Sequence, residues 1–545
     1  MDDYLKNPKK IRVRIAPSPT GKFHIGTART ALFNYLFAKK YDGAFVLRIE
    51  DTDIERSKVE FEQDIIENLK WLKIDWTEGP LSEYQTKNDG KEYIGEYGPY
   101  RQSKRIPIYE KYLKKILEEK KAYYCFCTKE ELEAKHQYQM SIGQIPRYDG
   151  KCKNLSPEDV RKNLEEGKPY VIRFKNPNKK VSFNDLIRGK VEIDSSLSDD
   201  FVIAKSISNP LYNFAVVVDD FEMRISHVIR GEDHISNTPR QILIQEALDL
   251  PHPKYGHLPL ILGADRSKLS KRHAVISVSE YKKEGYLSEA LINFMAFLGW
   301  NPGTEEEIYS LNSLIKAFSL ERIQKGGAVF NIKRLDYLNG CYIRQKPLKE
   351  ITESCIPYLI NGNLITPKPE AQKTVPKMEF LGTSGVDFSN KFIVNETKKE
   401  ISFDFLKEVI SLYHERLKKL SEISDFTDFF FKTSLNYDKD LLLWKSYSES
   451  EIKLSLDKSE KILSKIEKEN WTKDNLSTSF LKELEVSKED LGESRSVGAG
   501  DKGYLLWPLR VSLTGKKASA GPFEIAFVLG KEESIKRIIK AKEIL

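Results

Sequence analysis

The chain has 545 residues, 40% hydrophobic and 31% charged, a mixture that excludes both a wholly disordered polymer and a membrane-embedded bundle. At about 150 residues per domain, that length predicts three or four domains. Lys and Arg number 88 against 81 Asp and Glu, a formal net charge of +7, which permits nucleic-acid binding without requiring it.

The first segment, IRVRIAPSPTG, alternates Val13 and Ile15 with polar neighbours and breaks at Pro17, Pro19 and Gly21, so a strand running into a turn is predicted. From Thr27 the run TARTALFNYLFAKKY sets apolar residues on adjacent turns and predicts a buried helix. A second strand, FVLRIE, follows Gly43. The segment DTDIERSKVEFEQDIIENLKWLKI predicts a second helix, capped by Asp51 to Asp53 and striped by Phe61, Ile65, Leu69 and Leu72. This β-α-β-α order points to an α/β fold with a parallel sheet, whose ligands sit at the carboxyl ends of the strands.

Residues 106–199 break the pattern with a helix (IPIYEKYLKKILEEKKAYY), three crowded cysteines and the short strands YVIRFK and KVEI, which reads as an inserted domain. The parallel theme is expected to resume in NFAVVVDD, HVIRGEDH and LPLILG, each as a buried strand delivering polar residues at its end. Beyond about residue 340, Lys- and Glu-rich stretches with helical spacing predict a helical C-terminal region. Residues 362–396, rich in Pro and Gly, read as an insertion or a mobile loop. No run approaches the roughly 18 uncharged apolar residues of a membrane span, and the start MDDYLKNPKKI lacks a secretory core, so a cytoplasmic protein without a membrane partner is expected. Five cysteines suit a reducing compartment better than a disulfide framework.

Two stretches carry chemistry. His24-Ile25-Gly26-Thr27 lies where strand meets helix, and there unpaired N–H groups, a close-approach glycine and an imidazole donor can receive a phosphate; taken alone, a helix cap explains His24 equally. No G-x-G-x-x-G stands at this turn and no G-x-x-x-x-G-K-[ST] occurs anywhere, so the fingerprints of a dinucleotide dehydrogenase and a P-loop NTPase are missing. Far downstream, GADRSKLSKRHAV brings Lys268, Lys271 and Arg272 together in a loop able to fold over a polyphosphate, or to lie simply as a solvated basic face.

The stretches RIAPSPTGKFHIGTARTALFNYLFAKKYDGAFVLRIEDTD, PLYNFAVVVDDFEMRISHVIRGEDHISNTPRQ and SKLSKRH resemble the bacterial-type glutamyl-tRNA synthetases, class I aminoacyl-tRNA synthetases. HIGT is similar to their HIGH signature, with Thr27 at its last position. KLSKR is similar to KMSKS, with Leu269 and Arg272 at the variable places. The resemblance implies a Rossmann-like parallel sheet in two halves (1–105 and 200–262), split by an inserted α+β acceptor-binding domain (106–199). A KLSKR loop with a stem-contact region (263–340) and an all-α anticodon-binding region (341–545) follow.

The resemblance implies ATP-dependent activation of L-glutamate and transfer to the 2′-hydroxyl of the terminal adenosine of the tRNA for glutamate, with Mg2+ accompanying ATP, activation waiting for bound tRNA, and the enzyme acting as a monomer. It assigns His24, Thr27, Lys268, Lys271 and Arg272 to catalysis and Gly26, Asp233 and Lys271 to ATP. Arg14, Ala16, Ser18, Glu50, Tyr212 and Arg230 fall to glutamate, Arg230 on its side-chain carboxylate and Glu50 on its ammonium. Cys125, Cys127 and Cys152 match a structural zinc site of many relatives, but Asn154 stands where a further ligand is usual. Either water, Tyr124 or Tyr148 completes a zinc site, or three reduced thiols fill a small core. Charging of the tRNA for glutamine as well, and a non-catalytic tRNA-binding paralogue, are the alternatives. Glutaminyl-tRNA synthetase and the short paralogue that glutamylates a modified tRNA base are opposed by length and tail.

Overall fold

The computed structural model describes residues 11–545 except 54, 82–85, 87–89, 198, 270–276, 369–390 and 490–500, with backbone alone at 197 and 483–489. It divides into two compact units, residues 1–282 with 288–335, and residues 283–287 with 336–545. Among the described residues no helix is long and apolar enough to cross a membrane.

In the first unit the chain runs through β1 (Arg12–Ile15), α1 (Ile25–Lys40), β2 (Ala44–Leu47) and α2 (Val59–Trp71). Strands β1 and β2 pair in parallel, Val13 opposite Phe45, and both are buried, as a sheet covered on two faces requires. The stripe on α2 buries Ile65, Leu69 and Leu72. Asp51 to Asp53 do not cap it. The helix starts later, after Lys58, without a side-chain cap, because Asp51 is taken by the backbone N–H and hydroxyl of Ser103 and Asp53 by Arg56.

The inserted segment contributes α3 (Ile106–Glu118), β3 (Ala122–Cys125), α4 (Lys129–Ser141), β4 (Val171–Phe174), the hairpin β5 (Lys180–Asp185) and β6 (Gly189–Asp194), and β7 (Val202–Ser206). Strands β3, β4 and β7 form an antiparallel sheet with β4 central.

The next element corrects the sequence reading. Tyr212–Glu222 is a helix, α5, not a strand. A continuous apolar run suits a buried strand and a buried helix equally, and every residue from Phe214 to Asp220 is buried. Asp219 and Asp220 consequently lie inside the core instead of at a strand's end. After it come β8 (His227–Gly231), α6 (Thr238–Ala247) and β9 (Lys254–Leu258). The last two parallel strands pair in register, Arg230 opposite His257, and the Ser226 N–H donates to Arg12 O, setting this pair beside β1. The strand expected at LPLILG is displaced: β9 ends at Leu258, and only β10 (Ile261–Leu262) follows, paired with Ala328–Val329.

The second unit is mainly helical, with helices including Leu348–Asn361, Glu449–Lys465, Lys473–Glu489, Lys502–Thr514 and Lys531–Ile544, and it has one apolar core. It departs from all-α in one place. Ile365–Pro367, Phe392–Val394 and Glu400–Ile401 make a three-stranded antiparallel sheet, so the ends of the 362–396 segment are paired backbone; its residues 369–390 lie outside the described residues.

Candidate active site

A cleft of about 1090 Å³ opens at the carboxyl ends of β1 and β8, where a parallel sheet is expected to bind its ligand. Past β2 the backbone keeps step with the first turn, Glu50 N–H donating to Pro17 O, so Glu50 stands beside Ala16 and Ser18. Arg14, Ala16, Ser18, His24, Gly26, Thr27, Glu50, Tyr212, Arg230, Asp233 and Lys268 all border this one cleft. Lys271 and Arg272 lie outside the described residues.

His24 is the N-cap of α1. Its Nδ1 accepts from the Thr27 N–H at 3.3 Å, and its Nε2 lies 3.0 Å from Thr27 Oγ1, so the ring proton belongs on Nε2. A β-carbon on Gly26 would come within 3.1 Å of that imidazole, close enough that the ring would have to shift. The ring projects into the cleft, yet protein on most sides desolvates it, and together with the Lys268 ammonium this holds the imidazole below its ordinary range. A neutral ring at the positive end of a 16-residue helix is a hydrogen-bond donor suited to a phosphate.

Lys268 is brought to the same place by the turn after β10. Leu269 N–H donates to Ile261 O and Gly263 N–H to Ser267 O, folding the chain back so that Lys268 Nζ lies 3.7 Å from Asp233 Oδ2. That pair is exposed and contributes little to stability, which leaves the ammonium free to exchange its carboxylate for a phosphate.

The opposite wall is a set of buried charges. Arg14 donates Nε and Nη2 to the two oxygens of Asp220, at 3.2 and 3.3 Å. Arg48, fully buried, reaches Asp220 at 2.8 Å and Glu50 at 3.2 Å. Burial pushes the Glu50 carboxyl upward against the pull of Arg48 and Arg14, so an ammonium arriving there would meet an acid that gains from a cation. Tyr212, at the first turn of α5, sets its hydroxyl 3.1 Å from His234 Nδ1. Arg230 is held on Thr238 Oγ1 and Gln241 Oε1, each at 2.8 Å, while its buried Nη1 has no partner among the described residues.

In the inserted segment the three cysteines do come together, with all sulfurs within 4.8 Å of one another and Cys127 Sγ 3.6 Å from Cys152 Sγ. The Tyr148 hydroxyl joins them, 3.3 Å from Cys125 Sγ and 3.8 Å from Cys127 Sγ. Burial opposes ionisation of Cys125, but bonds from Tyr148 and Arg173 prevail and lower its thiol. Burial and the neighbouring sulfurs push Cys127 up to about 12.

Sequence reasoning missed Arg48, Asp185, Thr238, Gln241 and His257, which support the pocket without facing it directly. One signal was readable: an arginine inside the apolar run FVLRIE needs a buried acid, and the paired Asp219 and Asp220 supply it.

Residues 10–337 match the family model described as the catalytic domain of class I tRNA synthetases (E and Q), and residues 377–542 match an anticodon binding domain. The chain belongs to the class I tRNA synthetases. A glutamate–tRNA ligase of Caldicellulosiruptor saccharolyticus is 43% identical to this synthetase over 533 residues, 97% of this chain and 98% of that one. One from Carboxydothermus hydrogenoformans is 42% identical over 530 residues, 97% and 99%. Among solved structures, a glutamate tRNA ligase from Elizabethkingia meningosepticum, in complex with its amino acid, superimposes with a TM-score of 0.79 at 32% identity, covering 98% of this synthetase and 99% of that chain.

Proposed function

We propose that this chain is a glutamate–tRNA ligase, activating L-glutamate with ATP and passing it to the 2′-hydroxyl of the terminal adenosine of the tRNA for glutamate. The observation that carries the reading is that the HIGT turn and Lys268 border one cleft whose other wall holds Arg14, Glu50 and Arg230. In the first step a carboxylate oxygen of glutamate attacks the α-phosphorus, the bond to the bridging oxygen breaks, and its electron pair leaves with pyrophosphate. In the second step the ribose hydroxyl takes the acyl group and AMP departs. Orientation and charge neutralisation are the enzyme's main work.

In this reading the His24 Nε2–H exchanges Thr27 Oγ1 for an α-phosphoryl oxygen, with Thr27 and Gly26 shaping the helix start. Lys268 and Asp233 flank the phosphates, and Lys271 and Arg272 meet the departing pyrophosphate; Mg2+ would enter with ATP. Glu50 receives the amino acid's ammonium, Arg230 its side-chain carboxylate, and Arg14, Ala16, Ser18 and Tyr212 close the pocket. The partition at 105, 199, 262 and 340, the monomeric state and a cytosolic site of action belong to the same proposal. Neither a non-catalytic paralogue nor charging of a second tRNA draws support from relatives that carry the name glutamate–tRNA ligase.

Glutamate-dependent exchange of pyrophosphate into ATP, run with and without the tRNAs for glutamate and glutamine, tests the reading. Exchange is expected with glutamate and the tRNA for glutamate. Better exchange with glutamine or aspartate would overturn the pocket assignment.

The cysteine cluster extends the proposal to a structural zinc. Zn–S bonds of about 2.3 Å place tetrahedral sulfurs about 3.8 Å apart, and a Zn–O bond of about 2.0 Å places an oxygen about 3.5 Å from a sulfur; the 3.6 Å between Cys127 and Cys152 and the Tyr148 oxygen at 3.3 and 3.8 Å lie near these figures. In this reading Tyr148 is the fourth donor, and Asn154, which is exposed, is not needed. The ion would brace the inserted segment and take no part in the reaction. Protein purified without added metal is expected to carry one zinc per chain by elemental analysis, lost in Cys152→Ser and weakened in Tyr148→Phe. Metal-free protein with three freely titrating thiols would decide for the small core.

A further inference from the structure

The turn of the hairpin β5–β6 packs against β9, where the Leu186 N–H donates to Tyr255 O, and its contacts form a chain of fixed polarity. Asp185 Oδ1 accepts three backbone N–H groups, those of Ile187, Arg188 and His257, at 2.9, 2.8 and 3.2 Å. Its Oδ2 lies 2.6 Å from His257 Nδ1. The far nitrogen of that ring, Nε2, lies 3.3 Å from Arg230 Nε and 3.1 Å from Thr238 Oγ1. The Asp185 and His257 side chains are fully buried, with an exposure of 0% each. Burial and the Arg230 charge keep the imidazole below its ordinary range despite the carboxylate, so it carries one ring proton.

We infer that Asp185 is a positioning residue for Arg230, acting through His257 by deciding which ring nitrogen holds the proton. A carboxylate can only accept, so it keeps the proton on Nδ1 and leaves a lone pair on Nε2 to receive the Arg230 Nε–H. With Nη2 fixed on Thr238 and Gln241, the guanidinium is locked in plane, and Nη1 is the nitrogen left for a substrate carboxylate. The opposite tautomer would set N–H against N–H and turn the guanidinium away.

Asparagine at 185 keeps the shape and reverses the polarity. The three backbone donors hold the amide oxygen at the Oδ1 position, so the amide nitrogen falls at Oδ2, donates to Nδ1 and drives the ring proton to Nε2. The turn at residues 185–189 is preserved while Arg230 loses its acceptor. His257→Gln has the opposite character: its side-chain oxygen reaches the Nε2 position and accepts from Arg230 whatever residue 185 is. His257→Leu removes the acceptor altogether.

The inference rests on Arg230 as a glutamate ligand, so Arg230→Ala is included with D185N, H257Q, H257L and the double variant D185N/H257Q. KM for glutamate and for ATP are measured in tRNA-dependent exchange, and melting temperatures on the same full-length proteins. D185N and H257L are expected to raise the glutamate KM by about 10- to 100-fold, with the ATP KM unchanged. H257Q should stay near the parent, and D185N should add nothing in its background, since the relay is already bypassed. The relay fails if D185N raises both KM values together or still acts in the H257Q background, as a purely structural aspartate would. A strong effect of Arg230→Ala beside a silent D185N and H257L rejects the relay alone. A silent Arg230→Ala rejects the pocket reading along with it.

Discussion

Replacing His24 with alanine is expected to lower kcat for glutamate-dependent exchange by about a hundred- to a thousandfold, the loss of about 2.7–4 kcal/mol typical of one preorganised donor to a developing charge. The residue keeps an exposed edge in the cleft although protein surrounds much of the ring; the polar contact the fold loses is the cap on the Thr27 N–H, about 1 kcal/mol at a typical helix start. The two effects separate with His24→Asn. Asparagine caps a helix as well as any residue, so its melting temperature should match the parent, while its shorter amide falls short of the phosphate and most of the rate loss remains. Rate measurements on both variants decide the matter: a kcat within about threefold of the parent in His24→Ala would remove the imidazole from the chemistry and leave it as a cap.

The part of the site legible in the sequence is the part whose function needs particular side chains at fixed short spacing. His24, Gly26 and Thr27 sit within one turn, and a phosphate at a helix start leaves few other choices. Parallel strand signals at Val13 to Ile15 and at FVLRIE located the turn itself, and β1 and β2 lie there. What stayed hidden depends on partners distant in sequence. Asp185 is 72 residues from His257 and Arg48 is 172 from Asp220, and no local pattern joins such pairs. The helix α5 is not legible for a related reason: a run buried on every side has no period to report, and only the surrounding fold decides its conformation. The caps of α2 failed because Asp51 has a tertiary partner in Ser103 that outcompetes a local role.

Removing the Asp219 carboxylate should destabilise the first unit by about 3–5 kcal/mol, read as a large drop in melting temperature for Asp219→Ala. The carboxylate is fully buried and saturated: Oδ1 accepts from Arg105 Nε at 2.6 Å and Tyr109 at 2.9 Å, and Oδ2 from Gln102 at 2.8 Å. Arg48 stands 3.6 Å away and is itself without solvent. Truncation therefore strands the Arg105 guanidinium in the core, and a stranded charge costs far more than the pair contributes. Asp219→Asn keeps the volume and an acceptor and should lose less. The double change Arg105→Met with Asp219→Leu, which removes both charges, should recover much of the deficit, giving a coupling of more than about 1 kcal/mol in a double-mutant cycle. Losses that simply add would mean that the hub owes its stability to packing. The hub also matters to the cleft, because α5 carries Tyr212 at one end and Asp220, the partner of Arg14, near the other. Loosening its anchor at Asp219 should raise the glutamate KM even below the melting transition, whereas a separate apolar core elsewhere in the unit would lose stability with that KM unmoved.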